Sequence, residues 1–158
     1  MANTYKSAQV QSALLRGNWR GADFTIFGSV AVASAGVGDI YQLVQVPNGY
    51  SIESVILDCD QLDTNATPTL TLEVGDGTTA ARFIAASTIA RTGGIQYGNV
   101  KGATGYSYAI GSGNTGQFAG GNAGSNILQA QVTAAAATFA AGTVRLAVRM
   151  FEDTGAFA

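Results

Sequence analysis

The alternation of apolar and polar positions along the chain predicts a protein built from strands. In residues 143–151 every second residue is apolar, and two arginines stand among the residues between them. A period of two is typical of a strand with one buried face and one face in solvent. Runs rich in Val, Ile, Phe and Tyr at residues 23–33, 37–46 and 126–133 have the composition of further strands. The pattern therefore predicts a compact all-β protein.

Three apolar runs between Ile40 and Gly77 predict a central three-stranded meander. The first break, residues 47–49, is Pro-Asn-Gly, in which a fixed φ is followed by residues that tolerate positive φ. The second break covers residues 63–66. After it the apolar residues Leu70, Leu72 and Val74 alternate with Thr69, Thr71 and Glu73.

The second half of the chain is harder to assign. Residues 81–87 predict a short strand or bend around Phe83 and Ile84. Residues 92–126 contain 11 glycines, which excludes a helix and favours long loops around one short strand at residues 105–110. The alanine run at residues 134–141 favours a helix by propensity, but its position between two strand-like runs predicts a hairpin connection or a short edge strand.

Residues 1–22 lack strand alternation and are predicted to form an extended basic arm. The segment carries Lys6, Arg16 and Arg20 and no acidic residue. Such an arm would become ordered on binding a neighbouring surface, although an ordinary frayed terminus fits the same sequence. The remaining residues, 23–158, are predicted to form one sandwich domain with a glycine-rich loop region at residues 92–126.

The composition indicates a surface that is covered in an assembly. Of the 158 residues 47% are hydrophobic and only 11% are charged, which is low for a globular domain. The single cysteine, Cys59, is expected to be a small buried residue. No apolar leader is found at the amino terminus, so a cytoplasmic origin is expected, and no run suggests a membrane span.

Charge is segregated along the chain although the net charge is only −2. Residues 23–76 contain eight acids and no base, whereas residues 77–151 contain five bases and no acid. Either the two halves interleave in one domain and neutralise each other, or an acidic face of one copy meets a basic face of the next. The second interpretation places Arg145 and Arg149 at a subunit interface.

The sequence contains only weak matches to motifs for nucleotide binding, metal binding or catalysis. Residues 111–116 match GxGxxG, but no helix can follow, and the acidic residue that should bind the ribose is missing. Asp58, Asp60 and Asp63 could hold calcium, although a solvated strand end suits their spacing better. The chain has no histidine, which removes the usual general base and metal ligand. We therefore expect no catalytic residues, no cofactor, no metal, no small-molecule substrate and no nucleic acid.

Aromatic residues in the glycine-rich region are candidates for contacts between subunits. Tyrosine buries a large area while few rotatable bonds are fixed, which suits a contact surface. The alternative is simple core filling. The candidates are Tyr97, Tyr106, Tyr108 and Phe118.

Residues 39–92 contain a set of short motifs, namely Leu57-Asp58, Leu62-Asp63, the run from Leu70 to Gly77, and Arg82-Phe83-Ile84. With these motifs the segment resembles a family of tailed-bacteriophage virion proteins that are commonly encoded beside the major capsid protein. A weaker similarity extends over residues 138–151, and the glycine-rich insertion and the basic arm depart from the family pattern.

The resemblance implies a head decoration, or cement, protein with a jelly-roll-like antiparallel β-sandwich. Such a protein would sit as a homotrimer on the outer capsid surface, bound to the major capsid protein, with Lys6, Arg16 and Arg20 of the arm gripping the capsid. Other virion roles, namely a head-tail connector or tail subunit, share such modules. A host-adhesion or carbohydrate-binding sandwich is a further alternative.

Overall fold

The computed structural model describes residues 2–8, 10, 24–46, 50–76, 79–99, 108–110 and 127–152. In this part of the chain the regular structure is almost entirely β, as the sequence predicts. The strands are β1 (Thr4–Lys6), β2 (Phe24–Val32), β3 (Ile40–Gln45), β4 (Tyr50–Cys59), β5 (Thr71–Asp76), β6 (Ile84–Ser87), β7 (Gly94–Tyr97), β8 (Tyr108–Ile110), β9 (Ile127–Ala134) and β10 (Gly142–Glu152), and one 3₁₀ turn spans Ile89–Arg91.

The strands form two sheets that pack as a sandwich. Sheet A has the order β1-β3-β9-β5-β6, and sheet B has the order β2-β10-β4-β7, with β8 also paired to β4. The described pairs are antiparallel except β1, which runs parallel to β3. The predicted all-β sandwich is confirmed.

The core lies between the sheets and follows the predicted alternation. Every second residue of β5 and β10 is buried, and Cys59 is buried at the end of β4. These side chains form one continuous apolar cluster, which includes Leu70, Leu72, Val74, Val144, Leu146, Val148 and Met150.

The predicted meander over residues 40–77 is wrong. β3 and β5 lie in sheet A, whereas β4 lies between them in sequence but in sheet B. Each of the three strands buries its apolar residues against the same core from one side or the other, so the alternation is correct. Alternation identifies the buried face of a strand but not the sheet to which the strand belongs.

The connection between β9 and β10 also differs from expectation. Residues 135–141 lead from β9 in sheet A to β10 in sheet B, so the predicted hairpin is wrong, and Phe139 instead forms an isolated bridge with Asp63.

In the glycine-rich region β8 lies within the predicted strand 105–110, but β7 was not predicted. β7 has only four residues and begins at Gly94, whose φ of 132° favours glycine, a residue that is uncommon in strands.

The beginning of the predicted arm is an edge strand of sheet A. The Asn3 N–H donates to Asp39 Oδ1 at 2.8 Å, the Tyr5 ring lies 5.7 Å from the Tyr41 ring, and the Ser7 hydroxyl donates to the Leu43 carbonyl. The segment lacks apolar alternation because an edge strand with few buried side chains does not need it. Residues 11–23 lie outside the described part.

The two sheets approach each other closely where β2 meets β3. A Cβ atom on Gly28 would lie 1.8 Å from the backbone oxygen of Leu43. No side chain fits there without moving the backbone, so this position requires glycine.

Asp63 joins two of the segments that cross between the sheets. Its side chain is fully buried, which corrects the expectation of a solvated strand end. Both carboxylate oxygens accept backbone N–H groups at 2.8–3.2 Å from two segments, one after β4 and one after β9. The donors are Asn65, Thr69, Leu70, Ala137 and Thr138.

The surroundings of Asp63 fix its protonation state. Burial by itself would raise the pKa of this carboxyl group, but the N–H donors of Thr138, Ala137, Thr69 and Leu70 outweigh burial and hold the pKa well below its usual value. The carboxylate therefore stays charged in the folded protein.

We predict that Asp63→Asn destabilises the fold and weakens its sensitivity to acid. Because the folded pKa lies below the unfolded value of about 3.9, the carboxylate stabilises the fold above about pH 4, and this contribution is lost as the pH falls. Urea unfolding at neutral and acidic pH measures both effects. Glu73→Gln, on the outer face of β5, is the matched control. An unchanged loss of stability on acidification in Asp63→Asn would contradict this role.

Candidate assembly surface on sheet B

Sheet B carries an apolar row across its outer face. Antiparallel registration places Phe27 opposite Ala147, Ala147 opposite Ile56, and Ile56 opposite Tyr97. Phe27 is 72% exposed and Tyr97 is 74% exposed. Single exposed apolar residues are common on protein surfaces, but apolar residues that adjoin one another in a row are typical of a contact surface. The row crosses β2, β10, β4 and β7, with an exposed aromatic residue at each end.

The alternation of each strand forces these side chains outward. In β2, Ile26 is buried and Gly28 faces the Leu43 carbonyl, so Phe27 between them must point to solvent. In β4, Val55 and Leu57 are buried in the core, and Ile56 faces outward in the same way. The row is therefore a consequence of burying the inner face.

A second row of mixed character runs beside the first. Register places Ser29 opposite Arg145, Arg145 opposite Asp58, and Asp58 opposite Ile95, which is 59% exposed. Between the rows lies a groove of about 410 Å³, lined by residues of both. The groove has the apolar row on one side, and Arg145 and Asp58 lie on the other side.

The charged side chains on this face are paired within the chain. Arg145 Nη1 lies 2.9 Å from Asp60 Oδ1 and 3.4 Å from Asp58 Oδ2, and Arg149 Nε lies 2.9 Å from Glu53 Oε2. The hydrogen bond from Arg145, together with the Thr143 N–H, lowers the pKa of Asp60. The same pairing with Asp60 raises the pKa of Arg145.

These pairs show that the acidic and basic halves of the sequence interleave in one domain. All five groups are about half exposed, so each pair contributes little to stability. A contact of Arg145 and Arg149 with another subunit stays a prediction.

The structure brings together three of the residues predicted for the subunit interface. Tyr97, Arg145 and Arg149 all lie on the outer face of sheet B. Lys6 lies in β1, at the edge of the opposite sheet, and Tyr108 belongs to β8 beside β4. The other predicted residues, Arg16, Arg20, Tyr106 and Phe118, lie outside the described part of the chain, as does the motif at residues 111–116.

Sequence reasoning missed Phe27, Ile56 and Ile95. A signal for the first two was present, because Ile26-Phe27 and Val55-Ile56-Leu57 are consecutive apolar residues in strands. In a strand only one of two neighbours can face the core. Consecutive apolar residues therefore indicate a strand with an apolar outer face.

The aspartates and the cysteine that the sequence singled out serve the fold. The three aspartates considered for calcium do not converge, since Asp63 binds backbone N–H groups while Asp58 and Asp60 bind Arg145. Within the described ranges no group of three or more His, Cys, Asp or Glu side chains is placed to hold a metal ion. Burial raises the pKa of the Cys59 thiol to about 12, so this cysteine is a poor nucleophile.

Across the described segments, no helix has the length and apolar character needed to span a bilayer.

Comparison with known proteins identifies phage capsid structures. No family model matches the chain, and no curated protein matches it. A chain in the capsid of Ralstonia phage GP4 superposes with a TM-score of 0.68 at 22% identity, covering 96% of this chain and 99% of that chain. A chain in the acid-stable capsid of Helicobacter pylori bacteriophage KHP30 has a TM-score of 0.52 at 19% identity, covering 84% and 94%. These two similarities show the fold.

A third structure shows the family. A chain of the cyanophage Pam1 capsid asymmetric unit has a TM-score of 0.68 and is 32% identical, covering 87% of this chain and 91% of that chain. An identity of this level over nearly the full length of both chains indicates common descent. The chain therefore belongs to the same family as this chain of the cyanophage Pam1 capsid, and it is a phage virion structural protein.

Proposed function

We propose that the chain is a capsid decoration protein, which binds the outer surface of the major capsid protein lattice and stabilises the head. The observation that carries the proposal is the family relationship to a capsid protein together with the exposed aromatic row on sheet B. In this proposal the protein makes contacts and performs no catalysis.

The proposed mechanism is mechanical. Packaged DNA exerts outward pressure on the shell, and each decoration protein adds weak contacts between neighbouring shell subunits. Contacts that are individually weak become strong when they are repeated and physically linked. A sandwich with a continuous apolar core is a stiff body for this purpose, because closely packed interiors deform little.

The amino-terminal segment is the proposed attachment to the capsid. Lys6 stands in β1, which is hydrogen-bonded to β3, so this end of the chain is anchored on sheet A. Arg16 and Arg20 follow in the sequence. Three cations with no acid among them suit an acidic or neutral groove between shell subunits.

Self-association is the second part of the proposal. We place a homotrimer on the capsid, with Tyr106, Tyr108 and Phe118 joining its copies, and we assign Tyr97 to a contact between copies through the outer face of sheet B. The low charge of the chain, 11% of residues, favours such association.

Labelling purified virions tests the proposed location. A gold label on the tagged protein, viewed by negative-stain electron microscopy, should cover the whole head. Label at a single vertex would instead indicate a head-tail connector, label along the tail a tail subunit, and label on fibres an adhesin. Any of these three results would contradict the decoration role.

Replacing Lys6, Arg16 and Arg20 together by Gln should reduce the occupancy of undecorated capsids while the protein remains folded. Substitution is a cleaner test than deleting residues 2–22, because the deletion would also remove β1 from sheet A. Occupancy is measured by gel densitometry of sedimented capsids, and circular dichroism checks the fold. Full occupancy would exclude a role of these cations in attachment.

Reversal of Arg145 and Arg149 to Glu should weaken self-association. The change places five acidic groups together on one face, where Asp58, Asp60 and Glu53 already stand. Exposed ion pairs contribute little to folding, so the variant should stay folded. Light scattering gives the oligomer mass, and an unchanged mass would disprove the contribution of these arginines.

A further inference from the structure

The outer face of sheet B is complementary to itself. The outward side chains of each strand form a column along that strand. The two inner columns carry opposite charge: Arg145 and Arg149 lie on β10, and Glu53 and Asp58 lie on the adjacent strand β4. The apolar row ends in an exposed aromatic residue on each of the two outer strands, Phe27 on β2 and Tyr97 on β7. We propose that this face binds the same face of a second copy about a two-fold axis parallel to the strands.

The strand order specifies which side chains would meet. A two-fold axis that runs along the line between β10 and β4 places β10 of one copy over β4 of the other and β2 of one copy over β7 of the other. Because the axis is parallel to the strands, each register row of one copy lies over the same row of the other copy. Phe27 of one copy then lies over Tyr97 of the other, and Ala147 lies over Ile56. Aromatic side chains that meet in this way bury a large area and add a favourable ring contact.

The charges favour this axis over a two-fold axis that runs across the strands. With the axis parallel to the strands, Arg145 of one copy faces Asp58 of the other, since these two residues share a row. With the axis across the strands, centred on the apolar row, Arg145 would face Arg149 and the acidic column would face itself. Like charges that face each other are unfavourable, so the charge pattern fixes the orientation of the pair.

The predicted contact is small. Four strands spaced by about 4.8 Å and seven residues at about 3.4 Å each give a projected area of about 450 Å² per copy. The total of about 900 Å² falls in the range of weak or transient interfaces. A contact of this strength acts when the copies are held close together, as they are on a capsid lattice.

This two-fold contact extends the proposed function and is distinct from the homotrimer. An isologous contact, in which the same patch meets itself, requires a two-fold axis and cannot be generated by a three-fold axis. It would join copies that belong to neighbouring oligomers. The purified protein alone suffices to test it, so the result does not depend on whether the protein decorates capsids.

Crosslinking between two different single-cysteine variants tests the geometry. Phe27→Cys and Tyr97→Cys are each made with Cys59→Ala, and the crosslinker is a bis-maleimide too short to reach across three strand spacings, about 14 Å. The equimolar mixture should give several-fold more covalent dimer than either variant alone. When only one variant is present, the two cysteines of a dimer lie on opposite sides of the axis, about three strand spacings apart, so the crosslinker cannot join them.

A matched control is available in Val37, which is 65% exposed in the turn before β3. Val37→Cys, mixed with either variant, should give only background dimer. Efficient crosslinking of Phe27→Cys with itself would overturn the proposed axis, and background crosslinking of the mixture would overturn the contact.

A second measurement does not rely on cysteine chemistry. Phe27→Asp should abolish the two-fold association in sedimentation velocity at high protein concentration, whereas Val37→Asp should not. Circular dichroism of both variants verifies that they are folded. Equal behaviour of the two variants would also count against the contact.

Discussion

The architecture depends on the buried carboxylate of Asp63. The segments that it joins are two of the crossings between the sheets, from β4 to β5 and from β9 to β10. Because backbone N–H groups from both crossings bind the same carboxylate, the crossings are fixed relative to each other. This arrangement puts β10 beside β4 in one sheet and β9 beside β5 in the other. The columns of charge on the outer face of sheet B follow from that adjacency.

Two other buried aspartates organise turns by the same means. Asp39 accepts hydrogen bonds from Asn3 N–H, Ser34 Oγ and Gly36 N–H, and thereby connects β1 to the turn before β3. Asp76 accepts hydrogen bonds from Thr79 N–H and from Arg82 Nε, each at 2.6 Å. Much of the acidic block of the sequence therefore serves internal turns and in-chain ion pairs. Less charge is left to act on a partner at long range than the sequence suggests.

The strands could be predicted from the sequence, but their partners could not. The alternation of β5 and β10 correctly identified their buried residues, because burial of one face is a local property of each strand. The sheet to which β4 belongs depends on contacts with β10, more than 80 residues away in sequence. Pro47-Asn48-Gly49 marks a break in the chain with equal clarity whether the chain returns to the same sheet or passes to the other.

The candidate surface was predictable in part for the same reason. The sequence identifies Arg145 as a base in a strand and Tyr97 as an aromatic residue in the glycine-rich region. Only the register of the strands places the two residues on one face. Phe27 was overlooked because an apolar residue in a strand is ordinarily assigned to the core. The neighbouring Ile26 already occupies that position, so the outward orientation of Phe27 follows once both residues are assigned to one strand.

Pairing of charges within the chain changes how such a face can associate. An unpaired Arg145 would lose its hydration in any contact and would need a partner in the opposing surface to compensate. Since Asp58 and Asp60 already neutralise it, the face can be covered at a smaller electrostatic cost, and the apolar row can supply the attraction. The same neutrality limits long-range attraction between free copies in solution. In the proposed two-fold contact, a face with these properties would associate weakly when the copies are dilute and more fully where a lattice concentrates them.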